Sequence, residues 1–264
     1  MMRGLTLVVS VSCFSAVSVA DTAYIEPSTF TPNSGQTITV ETSFNDYCCV
    51  PKYAVRSNHF AVILPDGRSV SPDRIEMFAN SSVIEQTVTE EGTTRITTGE
   101  RLGRKGGEYV LLDEQYFLVN SDDADPIFVP EGTQILSSQT ATVSDAYVTI
   151  GEPTWLSIQK PIGRLQLTPL QHPSTLGSGD MFDIIITFDG LPLADQELVL
   201  TRSGQKDRHG DEGFVFESDV NGRVSIPLYQ SGTHLVMART QATAPQGAET
   251  DIRSYTTSMT FSVN

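Results

Sequence analysis

The chain has 264 residues, 39% of them hydrophobic, and carries 32 Asp and Glu against 17 Lys and Arg, a net charge of −15. Phosphate backbones and anionic membrane surfaces repel so acidic a chain, which argues against a nucleic-acid partner. No stretch beyond the first 20 residues approaches the ~18 unbroken apolar residues of a spanning helix, so no transmembrane segment is expected in the mature chain.

The N-terminus reads MMRGLTLVVSVSCFSAVSVA. Arg3 supplies a positive start, Leu5 to Val17 an apolar stretch, and Ser18-Val19-Ala20 a small-residue cleavage site. This is the pattern of a secretory signal peptide, with cleavage after Ala20. The rival reading makes Cys13 a lipidated cysteine, but Ser10 stands where a lipobox wants a large aliphatic residue. Cleavage would leave 16 basic against 32 acidic residues in an exported, periplasmic protein beginning at Asp21. That length suits one large domain or two of ~100–150 residues.

Strand patterns then dominate: TITVETSF (37–44), HFAVILP (59–65), VIEQTVT (83–89), EYVLL (108–112), FDIIITF (182–188), ELVLTR (197–202), RVSIPL (223–228), HLVMAR (234–239) and SMTFSV (258–263). Each is short and rich in Val, Ile, Thr or aromatics, and turn clusters such as PNSGQ, PDGR, GSGD and VNGR separate them. A short helical turn is expected within 71–81. The spacing predicts an all-β protein of sandwich type.

The two halves echo one another. TPNSGQTITVETSFND (31–46) and TLGSGDMFDIIITFDG (175–190) share a Thr, a Ser-Gly and a β-rich run ending in Phe44 or Phe188. Asp66-Gly67-Arg68 and Asn221-Gly222-Arg223 supply similar turns. Gly107-Glu-Tyr-Val-Leu and Gly232-Thr-His-Leu-Val pair as the openings of late strands. The expected organisation is two tandem β-sandwich domains after the signal peptide (1–20). They comprise an N-terminal one over 21–150, with an insertion across 71–106, and a C-terminal one over 164–264. A linker at 151–163 carries the only tryptophan, Trp155.

Candidate chemistry is sparse. Cys48 and Cys49 are adjacent, and neighbouring Cα atoms ~3.8 Å apart are closer than the usual ~4.4–6.8 Å of a disulfide. Extending the alternation Val40, Thr42, Phe44 puts Cys48 and Val50 on the buried face and leaves Cys49 a partly exposed thiol. A vicinal disulfide, an intermolecular bridge and soft-metal thiolates stay open. Two cysteines alone cannot make a structural zinc site. Of the four histidines, His209 lies beside Asp211 and Glu212 in DRHGDEG. With His59, His209 and Asp211 are the candidate metal ligands, the alternative being a solvated turn. His234 is read as a core or rim aromatic, and His172 carries no specific signal. Arg101, Arg104 and Lys105 form a basic spot, and NSDDADP (120–126) an acidic loop without the glycine and closing Glu of an EF-hand. No nucleophile elbow, H-E-x-x-H or comparable motif is present, so a binding role is expected and not an enzyme.

The stretch GRLQLTPLQHPSTLGSGDMFDIIITFDGLPLADQELVLTR, with DVNGRVSIPLYQSGTHLVMAR and the closing SYTTSMTFSV, resembles a bacterial family of exported proteins of unknown function. YIEPSTFTPNSGQTITV near the mature start matches it too. Some members are assigned to periplasmic parts of nickel or cobalt uptake systems. The resemblance implies two sandwiches, immunoglobulin-like and transthyretin-like, and a binding or accessory role in envelope uptake, with a membrane-transport protein as partner. Nickel, cobalt, copper or zinc would be the bound ion. Many members carry a histidine ahead of W-x-E-P, whereas here Asp21 precedes "TAYIEP", and a hard oxygen ligand suits nickel or cobalt less well than imidazole. The alternatives are a metal-free envelope interaction module and, third, an envelope hydrolase without a recognisable motif.

Overall fold

A computed structural model describes residues 21–119, 128–204 and 213–264. The expected signal peptide with its cleavage point after Ala20 lies outside these residues, as do the acidic loop at 120–126 and the pair His209 and Asp211.

The first half of the chain forms β1 (Thr22–Pro27), β2 (Gln36–Asn45), β3 (Tyr53–Ala54), β4 (Ala61–Ile63), β5 (Ser69–Val70), β6 (Arg74–Met77), β7 (Ser82–Val88), β8 (Gly92–Thr97), β9 (Arg101–Leu112), β10 (Gln115–Val119) and β11 (Leu136–Ile150). One helical turn, α1 (Leu156–Gln159), precedes β12 (Leu165–Pro169), β13 (Met181–Phe188), β14 (Leu191–Pro192), β15 (Glu197–Arg202), β16 (Phe214–Glu217), β17 (Arg223–Pro227), β18 (Gly232–Thr243) and β19 (Ile252–Val263). The protein is all-β, as expected. Among the described residues no helix is long and apolar enough to cross a membrane. The helical turn expected within 71–81 is instead β6, paired with β7 from Arg74↔Glu85 to Met77↔Ser82. Only Ile75 of that segment packs inward, so ladder pairing decides its conformation.

Three sheets stack in an offset sandwich. A ten-stranded sheet runs β16-β15-β18-β19-β11-β8-β4-β5, with β9 on β11 and β10 on β9. Its two halves meet at β11 and β19, which pair in parallel from Ser138↔Ile252 to Ala146↔Thr260. A sheet of β1, β2, β7, β6 and β3 covers one end, and a sheet of β12, β13, β14 and β17 the other.

Side-chain alternation assigns opposite faces to the two covers. Along β11, Ala146, Val148 and Ile150 join a core with Ile25, Ile38, Val40 and Ile84, whereas Ala141 and Tyr147 join a second core with Phe182, Ile184, Val236 and Phe261. Each fully buried aliphatic or aromatic side chain contributes roughly 1.5–3 kcal/mol, so these two cores dominate stability.

Each half also reaches across the seam. On one face, Ser258 Oγ donates to the Ala23 carbonyl of β1 at 2.6 Å and lies 2.8 Å from Ser144 Oγ. On the other, the segment 151–163 lies against β8. Ser157 Oγ donates to the Thr93 carbonyl at 2.6 Å, and Lys160 Nζ donates to the Gly67 carbonyl at 3.0 Å. Trp155 packs edge-on against His172, with ring centroids 5.1 Å apart. The expected linker is thus hydrogen-bonded along its length.

The internal echo reappears as paired strands, with one change. The counterpart of Gly232 is Gly92, not Gly107: Gly92 opens β8 opposite Ile150, and Gly232 opens β18 opposite Val263. Both glycines have φ in the left-handed half, 107° and 116°, and both are followed by Thr. Residues 71–106 therefore hold β6, β7, β8 and the start of β9. The strands of the first half without a counterpart in the second are β6, which extends the cover sheet beyond β7, and the β9–β10 hairpin.

Candidate functional site

The sequence Phe214-Val215-Phe216-Glu217 forms β16, the terminal strand of the ten-stranded sheet. Aromatic and β-branched residues favour the extended backbone, and pairing with β15 runs from Leu200↔Phe214 to Glu197↔Glu217. Phe216 packs on the larger core, while Phe214 and Val215 are 60% and 40% exposed. Among the described residues no strand pairs with the far edge of β16. Of the other strand edges, β5 has two residues, β14 ends in Pro192 and β6 bears Arg74 and Glu76, while β10, with Gln115 to Val119 on its open edge, is a second strand without Lys, Arg or Pro. The edge of β16 carries no Lys, Arg or Pro; Phe214, Val215 and Phe216 precede its one charged residue, Glu217, and among the described residues its outward backbone groups have no partner.

A second site lies where the halves meet. On β1, Tyr24 and Glu26 point away from the core that holds Ala23 and Ile25. Glu26 stands opposite Glu41, and Tyr24 Oη donates to Glu41 Oε1 at 2.7 Å. The chain leaves β2 at Asn45, whose Nδ2 donates to the Val50 carbonyl at 2.7 Å and closes a turn. Within it Cys48 is buried, and Cys49, half-buried, has φ of 60°. Tyr24 and Cys48 pack with Leu235 and Met237 of β18, and the Gly204 N–H donates to the Cys48 carbonyl at 2.9 Å. The two thiols are free and in hydrogen-bonding contact, and Cys49 also meets the Ser203 side chain. Contact with Cys48 and burial push the Cys49 thiol well up. Burial likewise raises the Glu26 carboxyl, against a hydrogen bond with Thr233. Val50, expected on the buried face, is 41% exposed because the turn after Asn45 breaks the alternation.

The remaining sequence candidates are scattered. His59 is exposed between β3 and β4, where its N–H donates to Ser57 Oγ at 3.0 Å. Among the described residues no group of three or more His, Cys, Asp or Glu could hold a common metal ion. Asp21 pairs with Lys52 at 3.1 Å. Arg101 donates to the Arg56 carbonyl at 2.6 Å and lies over the Phe44 ring, and Lys105 pairs with Glu249, so two of the three basic-spot residues hold neighbours in place. His234 stacks on Phe261, in keeping with a core aromatic. A hollow of about 240 Å³ at the seam is lined by Phe30, Pro173, Tyr147, Phe261 and hydroxyl side chains, with no charged side chain on its wall.

Sequence reasoning missed β16 and His172. The alternation in FVFE was available, though four residues are few. His172 is drawn in by contacts distant in sequence: its Nε2 lies 2.9 Å from Thr93 Oγ1 and 3.2 Å from the Thr154 carbonyl.

No curated protein matches the chain. Among solved structures it is similar to the D0-D1 domain of intimin, at 12% identity over 90% of this chain and 96% of that one, with a TM-score of 0.21. The Yersinia pseudotuberculosis adhesin InvE matches at 14% identity over 92% and 58%, TM-score 0.20. An amphioxus IgVJ-C2 molecule matches at 13% over 89% and 99%, TM-score 0.20. Nothing of theirs is carried over to this chain. A family model covers nearly the whole of it, residues 18–242, in line with the resemblance noted in the sequence, and the chain belongs to that family, described as "Domain of unknown function (DUF4198)".

Proposed function

We propose that the protein is an exported periplasmic interaction module that binds an extended segment of an envelope membrane protein along β16, and that it serves an uptake system as the family resemblance implies. The observation that carries this reading is the open apolar edge of β16, with Phe214 and Val215 exposed. Main-chain hydrogen bonds from such an edge supply affinity to an added strand, and the alternating side chains supply selection. The role is one of binding, without chemistry on the partner. Its transition-metal version would add nickel, cobalt, copper or zinc through His59, His209 and Asp211. Elemental analysis of chelator-free mature protein, with each histidine replaced in turn, tests that version.

The test of strand addition is a photoreactive residue placed at Val215 in cells. We expect a crosslink to a defined envelope protein, absent when the same probe replaces Tyr229, which is more open to solvent at 73% exposure against 40% for Val215. Val215→Lys, a substitution that guards strand edges, should weaken capture about tenfold or more, ~1.4 kcal/mol. Equal crosslinking from both positions, or none from Val215, overturns the proposal.

A further inference from the structure

The adjacent cysteines occupy a built site, and its geometry bears on what they do. Their turn is held at both ends, by Asn45 Nδ2 on the Val50 carbonyl and by the Gly204 N–H on the Cys48 carbonyl. Cys49 sits in the left-handed region at φ 60°, a conformation unfavourable for a non-glycine residue that persists only where surroundings impose it. Cys48 is 3% exposed and unable to reach a thiol on another molecule, yet it touches the thiol of Cys49, which solvent reaches. The chain's third cysteine, Cys13, falls in the expected signal segment.

We propose that Cys48 and Cys49 are a redox-modification site, closing reversibly into a vicinal disulfide at the joint between the two halves. The oxidant is a disulfide, R–S–S–R. Cys49, whose proton burial and Cys48 hold tightly so that its loss is the slow step and quickens as pH rises, gives up that proton and attacks one sulfur, forming Cys49–S–S–R and releasing one R–S⁻. Cys48 then loses its proton and displaces the second R–S⁻, leaving the Cys48–Cys49 bond. Two electrons pass to the oxidant, and the two protons leave with two molecules of R–SH. The product suits its surroundings. Glu26 and Glu41 lie nearby, and the hydrophobic cluster of Tyr24, Leu235 and Met237 favours a neutral disulfide over a pair of thiolates, so thiolate ligation of a cation is the poorer use of the pair. Bridging Cα atoms only ~3.8 Å apart compresses the bond relative to ordinary disulfides, which places it among the readily reduced, reversible kind and not among structural staples. Because the Cys48 carbonyl accepts from Gly204, the redox state acts directly on the contact between the turn and β15.

The experiment equilibrates the mature protein in glutathione buffers from fully reduced to fully oxidised, blocks free thiols with a maleimide, and weighs the peptide that holds both cysteines. We expect both thiols to be lost together, the peptide to be lighter by two hydrogens, and a thiol reductant to reverse the change. Free thiols at the oxidised extreme, a lasting glutathione adduct on Cys49, or dimers linked through Cys49 would each overturn the proposal. A second measurement uses phenylarsine oxide, which condenses with two converging thiols and releases water. One arsenic per chain is expected, and none in Cys48→Ser or Cys49→Ser; failure of the unmodified protein to bind it would overturn the convergence of the thiols.

Discussion

Arg95 and Asp145 lie 50 residues apart and meet inside the protein with side chains 6% and 5% exposed. Arg95 Nε donates to Asp145 Oδ1 at 2.9 Å, Nη2 to Oδ2 at 2.5 Å, and Nη1 to the Lys160 carbonyl at 2.6 Å. The guanidinium thereby ties β8, β11 and the 151–163 segment together, with the Tyr147 ring beside it at 5.9 Å. Burying an ion pair gains little over a packed apolar pair, but removing one partner leaves the other charge unpaired in the interior. Arg95→Met should therefore lower stability by about 3–5 kcal/mol in urea denaturation. Adding Asp145→Leu should restore part of that loss, and a double variant as costly as the two single ones summed would contradict this account. Nothing in the sequence pointed to the pair: charged residues inside strand patterns read as solvent-facing, and only the register Arg95↔Tyr147 and Thr97↔Asp145 puts them on one face. The adjacent cysteines were legible as unusual, but their burial followed from a turn and not from the alternation that predicted it.

At the scale of elements, strands rich in Val and Ile were readable, because β-branched residues in alternation have few other uses. β13, β15 and β18 lie close to where their patterns put them. β11 was not readable. Six of the fifteen residues of its LSSQTATVSDAYVTI are Ser or Thr, yet most of it is buried, since the hydroxyls find partners such as Ser144 with Ser258 and Thr149 with Thr93. Turn chemistry was the more dependable signal. Asn221-Gly222 forms a turn with Gly222 at φ 73°, its N–H donating to the Asp219 carbonyl and its carbonyl accepting from Ile186 N–H at 2.7 Å. A Cβ there would press into the Ile186 carbonyl and stand 3.1 Å from Leu193 N. Gly222→Ala combines an unfavourable φ with a backbone clash, and should cost roughly 1–3 kcal/mol, read as a lower midpoint in thermal or urea melts. The equivalent change at Gly179, where φ is 99° but no atom lies near the added carbon, should cost less because only the φ term applies.

For the whole molecule, the parallel pairing of β11 with β19 makes one sheet of the two halves, and the segments that cross the seam reinforce it on both faces. That continuity was not legible, because a parallel pair between strands 114 residues apart leaves no turn or spacing in the sequence. It has a consequence for pH. His172 and His234 are buried, one at the seam and one on β18, and burial pushes both imidazoles down from 6.5 against hydrogen bonds to the Thr154 and Gly232 carbonyls. The polar groups facing His172 are neutral ones, Thr93, Thr154 and Ser174, so no carboxylate is there to welcome a charged ring. With folded values below the unfolded one, the unfolded chain takes up more protons over the interval between them. Stability is then complete above pH 6.5 and falls as the pH drops through the folded values, by about 1.4 kcal/mol per pH unit for each ring while only the unfolded chain binds its proton. Trp155 is the only tryptophan and rests on His172, so its fluorescence reports the seam directly. Urea transitions followed by Trp155 fluorescence and by far-ultraviolet circular dichroism should coincide at pH 7 and shift together to lower urea at pH 5, with a smaller shift in His172→Gln. A fluorescence transition that separates from the dichroism at either pH would mean that the seam opens while the two cores persist, and that the shared sheet does not make the halves fold as one.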